Sequence, residues 1–247
     1  MYFCRILIVY ISNYEKHCHS GVVEHLFFGC TKDWGTPATK NYPINGAYTK
    51  LDVSNAFDVT VSDQVTDVVV TVGELAHDRV VVRVVDGELQ IGFKPNTRYN
   101  GKAVAVIPAN ANLSDLELSG ASSFTGDLRG DDVDIELSGA STYRGTIEAT
   151  ELDVDLSGAS DAILSGVCQT KMGIDLSGAS TLKAANLSAE SVYGEMSGAS
   201  DADVTVCSAL NVNLSGASTL TYGTSSEDCH PNVNCPASGS SVVKPRH

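Results

Sequence analysis

A five-residue phrase, Leu-Ser-Gly-Ala-Ser, recurs through the second half of the chain and constrains the fold more than any other feature. It occupies Leu118–Ser122, Leu137–Ser141, Leu156–Ser160, Leu176–Ser180 and Leu214–Ser218, with a Met-led copy at Met196–Ser200. Successive copies are 19, 19, 20, 20 and 18 residues apart. A near-fixed period predicts a stacked-repeat protein, because one short unit cannot bury its own apolar side and needs its neighbours to do so.

The residues around each phrase alternate between apolar and polar, as in Val133-Asp134-Ile135-Glu136-Leu137 before one copy and Tyr143-Arg144-Gly145-Thr146-Ile147 after it. Alternation is typical of strands with one buried face, and a leucine-rich repeat would need a helical half that this pattern lacks. We therefore expect an all-β fold, a right-handed parallel β-helix with about 19–20 residues per coil. The leucines that open the phrases should form one buried column.

The glycine of the phrase predicts a sharp corner between two strands, since glycine tolerates backbone conformations that a Cβ atom makes costly. Two arrangements of the corner remain open. Unbroken alternation from Leu118 would direct Gly120 and Ser122 inward, whereas a corner at Gly120 would turn Ala121 inward. In either case the serines can stack as hydroxyl ladders.

Four segments follow from this pattern. Residues 1–41 are expected to be a leader or a disordered segment, 42–110 the opening coils and cap, 111–222 the repeat and 223–247 a C-terminal tail. A small separate β-domain is the alternative for 42–110. Leu26-Phe27-Phe28-Gly29-Cys30 resembles a lipoprotein cleavage site, which makes Cys30 a candidate for lipidation, although Glu24 and His25 interrupt the apolar stretch before it. A mis-assigned start or a degenerate leader is the alternative.

The cysteines of the second half predict one crosslink. Cys229 and Cys235 are six residues apart in the tail, and a disulfide between them would indicate an oxidising compartment. Cys168 and Cys207 occupy similar places in coils two apart, too far to be bridged, and are expected to be buried apolar fillers.

The residues two positions before each first serine form the candidate site. They are Glu117, Glu136, Asp155, Asp175 and Glu195. Alternation and stacking together predict an acidic stripe on the outer face, with like charges about one strand spacing apart. Because such pairs repel, one hypothesis is that Ca²⁺, which prefers oxygen ligands, or a cationic surface binds there. The alternative is a solvated face that only keeps the protein soluble. The chain has 30 acidic and 16 basic side chains, which argues against a nucleic-acid partner.

The repeated phrase, with the lead-in Ile44-Asn45-Gly46, Leu51-Asp52-Val53 and Phe57-Asp58-Val59-Thr60-Val61, resembles a bacterial family, the putative auto-transporter adhesins with a head GIN domain, which is frequent in Bacteroidetes. The resemblance covers about Pro43 to Tyr222. It implies a pectin-lyase-like β-helix exported to the periplasm, outer membrane or cell surface, and it supplies no catalytic residues.

The function expected from the sequence is that of a non-catalytic exported adhesin or binding protein. Its expected partner is a cell-surface or envelope component, with carbohydrate as the candidate; a lipid anchor and homo-oligomers through exposed strand edges are further expectations. No cofactor is expected apart from the Ca²⁺ considered for the stripe. The alternatives are a structural envelope spacer without a ligand and a polysaccharide-active enzyme.

Overall fold

The computed structural model describes residues 33–246, and these fold into a solenoid of stacked, mostly parallel β-coils. The predicted leader lies largely outside this range, and so does the candidate lipidation residue Cys30. The strands are β1 (Pro37–Tyr42), β2 (Lys50–Val53), β3 (Phe57–Ser62), β4 (Val68–Gly73), β5 (Val80–Val85), β6 (Glu88–Phe93), β7 (Ala103–Pro108), β8 (Asp115–Leu118), β9 (Ser123–Thr125), β10 (Leu128–Leu137), β11 (Thr142–Leu156), β12 (Asp161–Leu176), β13 (Thr181–Met196), β14 (Asp201–Leu214), β15 (Thr219–Gly223), β16 (Asn232–Val233) and β17 (Val242–Pro245). One short 3₁₀ helix spans Glu74–Arg79.

The repeat region confirms the predicted parallel β-helix. Strands β11, β12 and β13 each run from just after one phrase to the first residue of the next, and every residue pair between them is parallel. The register places Leu137 beside Leu156 and Leu156 beside Leu176. The column of Leu118, Leu137, Leu156, Leu176, Met196 and Leu214 is buried throughout. Equivalent side chains therefore lie directly over one another along the axis.

The corner of each coil matches neither of the two expected arrangements in full: the second serine points inward, as unbroken alternation predicted, but neither the glycine nor the alanine does. Gly120 adopts a left-handed conformation with φ of 77°, and it and Ala121 are exposed, while Ser122 is buried. The Ser122 hydroxyl donates a hydrogen bond to the carbonyl of Ser119 at 2.8 Å, and Ser160 does the same to Ser157 at 2.8 Å. The turn thus exposes the glycine and alanine, and the second serine closes it from inside.

The corner glycines also stack too closely for any side chain. The Ala159 N–H donates to the Gly139 carbonyl at 2.7 Å, and a Cβ atom on Gly158 would lie 2.5 Å from that carbonyl oxygen. A side chain at this position would therefore meet both an unfavourable backbone conformation and the backbone of the coil below.

The corner column is longer than the six phrases indicate. At one end, Ser54-Asn55-Ala56 stacks under the first phrase, and Ser119 N donates to the Val53 carbonyl at 2.9 Å. Asn55 has φ of 64° and replaces glycine there, as asparagine tolerates the left-handed region. At the other end, residues 238–241 form a further copy within the expected tail: Ser240 N donates to the Gly216 carbonyl at 2.7 Å, and Gly239 has φ of 71°.

The N-terminal coils stack out of chain order. Strand β2 pairs in parallel with β8 on one side and with β6 on the other, so the coil formed by β6 and β7 lies outside the coil that precedes it in sequence. Antiparallel strands complete this end: β5 pairs with β6, β4 with β7, and β1 with β4. An aromatic cluster fills it, with Phe93 4.9 Å from Phe57 and 5.0 Å from Tyr99 between ring centroids. Residues 42–110 therefore share one hydrophobic core with the repeat.

The predicted disulfide between Cys229 and Cys235 is wrong. Cys229 is bonded to Cys207, with their Cα atoms 4.5 Å apart, and Cys235 is free, its thiol donating to the Leu210 carbonyl at 3.6 Å. The prediction relied on the short distance along the chain between Cys229 and Cys235. Stacking instead brings Cys229 beside Cys207 on β14, because the two are 22 residues, about one coil, apart. Cys207 is consequently not a filler, while Cys168 is buried and free as expected.

Candidate binding face

The strand segments that lead into the phrases build one continuous outer face, and six carboxylates form a row along it. We call Asp52, Glu117, Glu136, Asp155, Asp175 and Glu195 the acid ladder. Each member is the register partner of the next: Asp52 of Glu117, Glu117 of Glu136, Glu136 of Asp155, Asp155 of Asp175, and Asp175 of Glu195. The five residues predicted from the sequence all belong to it. They alternate with buried residues such as Ile135 and Leu137, so their side chains face solvent.

Asp52 is the ladder member that the sequence pattern did not identify. It belongs to β2, which precedes β8 by more than sixty residues, and only the out-of-order stacking of the N-terminal coils places it beside Glu117. The signal in the sequence was Leu51-Asp52-Val53 followed by Ser54-Asn55, which matches the repeat once asparagine is accepted in place of glycine.

A second, shorter row runs beside the acid ladder. Asp115, Asp134 and Asp153 are register partners of one another, and Lys50 closes the row by an ion pair with Asp115 at 3.1 Å. On the next three coils the same row carries Gly173, Tyr193 and Asn211. The face is therefore doubly acidic toward the N-terminal end and half-neutral toward the C-terminal end.

The electrostatics of the face follow from its register. Desolvation by burial, together with repulsion from Asp175 and Glu136, raises the pKa of Asp155 above its ordinary value. The same causes, burial first and neighbouring carboxylates second, raise the pKa of Asp52, Glu117, Asp134 and Asp175. The carboxylates thus face each other largely uncompensated, and the face attracts partners that carry positive charge or hydrogen-bond donors.

A groove of about 660 Å³ follows the acid ladder along the corner. Its walls include the ladder carboxylates from Glu136 to Glu195, Asn213, and the first serines of the phrases from Ser138 to Ser215. Pro236, Ala237 and Ser238 of the last coil close its C-terminal end. A smaller depression of about 300 Å³ surrounds Lys50, Asp52 and Glu88 at the other end and shares Glu136 and Asp155 with the groove.

The face carries its carboxylates in a line instead of gathering them around a point. Within residues 33–246, no group of three or more His, Cys, Asp or Glu side chains is placed to hold a metal ion. Ladder members two coils apart are separated by about twice the strand spacing of ~4.8 Å, which is too far for a third carboxylate to join the first coordination sphere of one Ca²⁺. The geometry favours an extended ligand over a single ion.

The stacked parallel coils, with a row of carboxylates and hydroxyls along one face, define the class of the protein as a β-solenoid repeat protein. Comparison with known sequences identifies the family: the profile of the putative auto-transporter adhesin, head GIN domain, matches residues 47–225, and the chain belongs to that family. No curated protein sequence matches the chain.

Solved structures share the fold. A protein described as a putative adhesin from Bacteroides fragilis aligns with a TM-score of 0.73 at 20% identity, over 85% of this chain and 97% of that one. A protein described as a putative adhesin from Parabacteroides distasonis gives 0.62 at 19% identity over 86% and 98%. A putative lipid binding protein from the same species gives 0.58 at 18% identity over 86% and 98%. Among the described residues, no helix has the length and apolar character needed to cross a membrane.

Proposed function

We propose that the protein is an exported, non-catalytic adhesin that holds an extended carbohydrate of the cell envelope along the groove beside the acid ladder. The observation that carries the proposal is the register itself, which presents one carboxylate and one serine per coil over successive coils. A polymer that repeats the same hydroxyl groups matches such a row. Each contact is weak, and the contacts add through multivalency.

The repetition of the face is also what favours binding over catalysis. Catalysis by carboxylates needs two groups with different protonation states, set by different surroundings. Here Glu136, Asp155 and Asp175 occupy equivalent positions between like neighbours, and the same causes shift the pKa of Asp155 and Asp175 in the same direction. The face therefore repeats one contact and does not differentiate an acid from a base.

Attachment to the envelope is part of the same proposal. Membership of an adhesin family supports a surface or exported location, and lipidation at Cys30 would tether the solenoid to a membrane. Labelling of the full chain with a radioactive fatty acid in the native host, compared with Cys30→Ser, tests the anchor. Label on the wild type that is lost in the variant supports it, and equal labelling of both proteins contradicts it.

A polysaccharide and glycan array probed with the full chain tests the binding function. The matched variants are Asp155→Asn/Asp175→Asn, which interrupts the ladder, and Asp161→Asn/Asp201→Asn, which removes two exposed carboxylates whose register partners are threonines. We expect a subset of glycans to bind both the wild type and Asp161→Asn/Asp201→Asn. The same glycans should not bind Asp155→Asn/Asp175→Asn. Binding of no glycan, or equal loss in both variants, would contradict the proposal and favour a structural spacer.

A further inference from the structure

Tyr193 is the one exposed aromatic side chain among the tryptophan, tyrosine and phenylalanine residues at 33–246. Its exposed fraction is 36%, whereas Tyr48 and Tyr143 are buried and Tyr42, Tyr99 and Tyr222 are half-buried. The other exposed large apolar side chains are aliphatic. A single exposed apolar residue is ordinary on a protein surface, so its meaning depends on where it lies.

Tyr193 has no hydrogen bond from its hydroxyl group and no aromatic contact in the described part of the chain. Tyr42, Tyr99 and Tyr143 use their hydroxyl groups to hold other elements, for example Tyr143 to the Gly126 carbonyl at 3.0 Å and Tyr99 to the Gly73 N–H at 2.8 Å. No comparable bond, and no contact with another aromatic ring, involves Tyr193. Its hydroxyl group is therefore not tied to another element, and the exposed part of the ring is available to a ligand.

The ring stands on the proposed binding face. Tyr193 precedes Glu195 of the acid ladder by two residues on β13, so the two side chains leave the same face of the strand about 7 Å apart. Its register partners on either side are Gly173 and Asn211. These three residues replace the aspartates of the second row, and they turn the C-terminal half of the face from doubly acidic to amphipathic.

The neighbours of Tyr193 supply hydrogen-bonding groups around the ring. Gly173 has no side chain, and the Asp153 carboxylate leans over it, into the space that a Cβ atom on Gly173 would need. The Asp153 carboxylate therefore lies over the register partner of Tyr193 on the preceding coil, and Asn211 is the register partner on the following coil. Glu195 follows two residues later on the same strand. A flat apolar platform bordered by carboxylate and amide groups matches a pyranose ring, which has an apolar face and a rim of hydroxyl groups.

We infer that Tyr193, with Asp153, Glu195 and Asn211, forms a sugar subsite in which one neutral pyranose stacks on the tyrosine ring. The inference rests on the proposed carbohydrate-binding function and names its ligand class as an extended, neutral glycan of pyranose units that have a flat apolar face. Tyr193 lies beside the groove, whose wall on this coil is Glu195, so the rest of the polymer passes Glu195 and then follows the groove toward Glu136. Tyr193 is the residue that selects for a flat sugar face, whereas the ladder serves any chain of hydroxyl groups.

Isothermal titration of the full chain with cellopentaose and with chitopentaose tests the subsite. The variants are Tyr193→Ala, Tyr193→Phe and, on a strand that follows a corner and outside the face, Asp161→Asn. We expect Tyr193→Ala to raise the dissociation constant about tenfold or more and Tyr193→Phe to raise it less than about threefold. Asp161→Asn should leave it unchanged, and all three variants should keep the wild-type melting temperature within about 2 °C because the altered side chains are exposed.

Two outcomes would overturn the subsite. If neither pentasaccharide binds while the array shows other glycans bound through the ladder, the inferred ligand class is wrong and the binding function stands. The second outcome is that a pentasaccharide binds the wild type and Tyr193→Ala equally well but does not bind Asp155→Asn/Asp175→Asn. The platform role of Tyr193 is then wrong, and the ladder alone holds the sugar. Failure of the whole array, by contrast, removes the proposed function itself.

Discussion

The N-terminal coils and the repeat coils build the same solenoid with different means. In the repeat, every corner is a serine–glycine turn in which backbone packs on backbone, and buried serine hydroxyls close the turn. In the N-terminal coils, Phe57 stands where the repeat has its buried serine, and an aromatic cluster replaces the close corner. Charge differs as well: residues 33–102 contain nine acidic and seven basic side chains, and residues 103–222 contain seventeen and four.

The difference shows that the register of the repeat depends on its backbone and that the N-terminal coils depend on side-chain packing. The repeat can then vary its outward residues freely while each coil keeps its position, and it uses this freedom to present carboxylates in a row. The N-terminal coils cover the end of the core and balance their charge. Four predictions test this contrast, from the largest expected effect to the smallest.

Replacing a corner glycine should have the largest effect. Gly158→Ala places a Cβ atom 2.5 Å from the Gly139 carbonyl oxygen at a φ of 73°, so the stack must separate, and we expect a loss of more than about 3 kcal/mol in the free energy of unfolding. Gly87→Ala in the N-terminal coils is the matched control. It has φ of 82° and no atom within 4 Å of the added Cβ, and should cost about 1 kcal/mol. Chemical denaturation measures both, and equal losses would contradict the backbone-stacking account.

Removing the disulfide should release the last coil. Cys207→Ser/Cys229→Ser removes a crosslink with a sequence separation of 22, and we expect a loss of about 3 kcal/mol and faster hydrogen exchange in residues 229–246. The groove would then lose its end wall at Pro236–Ser238. Cys235→Ser is the control and should change little. A disulfide map of the wild type that instead joins Cys229 to Cys235 would show the pairing to be wrong.

The buried serines should contribute less than the glycines but measurably. Ser160 is fully buried and donates to the Ser157 carbonyl at 2.8 Å, so Ser160→Ala should cost about 1–2 kcal/mol in the free energy of unfolding. The half-buried Ser157 donates to the Leu137 carbonyl over a longer distance of 3.4 Å, which makes a weaker hydrogen bond. Ser157→Ala should therefore cost less than about 0.5 kcal/mol in the free energy of unfolding. The reverse order would mean that the inner hydroxyl does not close the corner.

The negative charge of the repeat should have the smallest effect on stability. The direction of this effect follows from how the melting temperature changes with pH. The pKa values of Asp155 and Asp175 are raised in the folded protein above their ordinary value of 3.8, so the native state binds protons more tightly than the unfolded state. The contribution of these two groups to stability is then most favourable below about pH 4. It becomes less favourable as the pH rises through their pKa values in the folded protein. We expect the melting temperature to increase as the pH is lowered from 7 toward 4.

The two double variants distinguish the ladder from the overall charge in the same experiment. Asp155→Asn/Asp175→Asn should melt at a higher temperature than the wild type at pH 7 and show a flatter pH dependence. Asp161→Asn/Asp201→Asn removes the same number of charges away from like-charged register partners and should behave nearly as the wild type does. Identical pH profiles for the two variants would show that only net charge matters.

The repeat and the ladder could be predicted because they depend on local rules. The spacing of the phrases sets the coil, and alternation sets which residues face outward, so Glu117 to Glu195 were assigned to one row from the sequence alone. The stacking order of the N-terminal coils could not be predicted, since β6 and β8 both match β2 in pattern and only packing decides which lies on which side. The Cys207–Cys229 disulfide could not be predicted for a similar reason. Residues 224–231 do not follow the repeat pattern, so the sequence does not indicate where they cross the coil.

The most direct test of the central claim, that ligand lies along the row of carboxylates, is hydrogen exchange of the full chain with and without the glycan that binds most tightly on the array. The account predicts that protection appears in the segments that carry the row, residues 133–138, 152–157, 172–177 and 192–197, and is absent from the strands that follow the corners, such as 142–146 and 161–165. Protection that appears only in those following strands, or that is confined to the N-terminal coils, would contradict it.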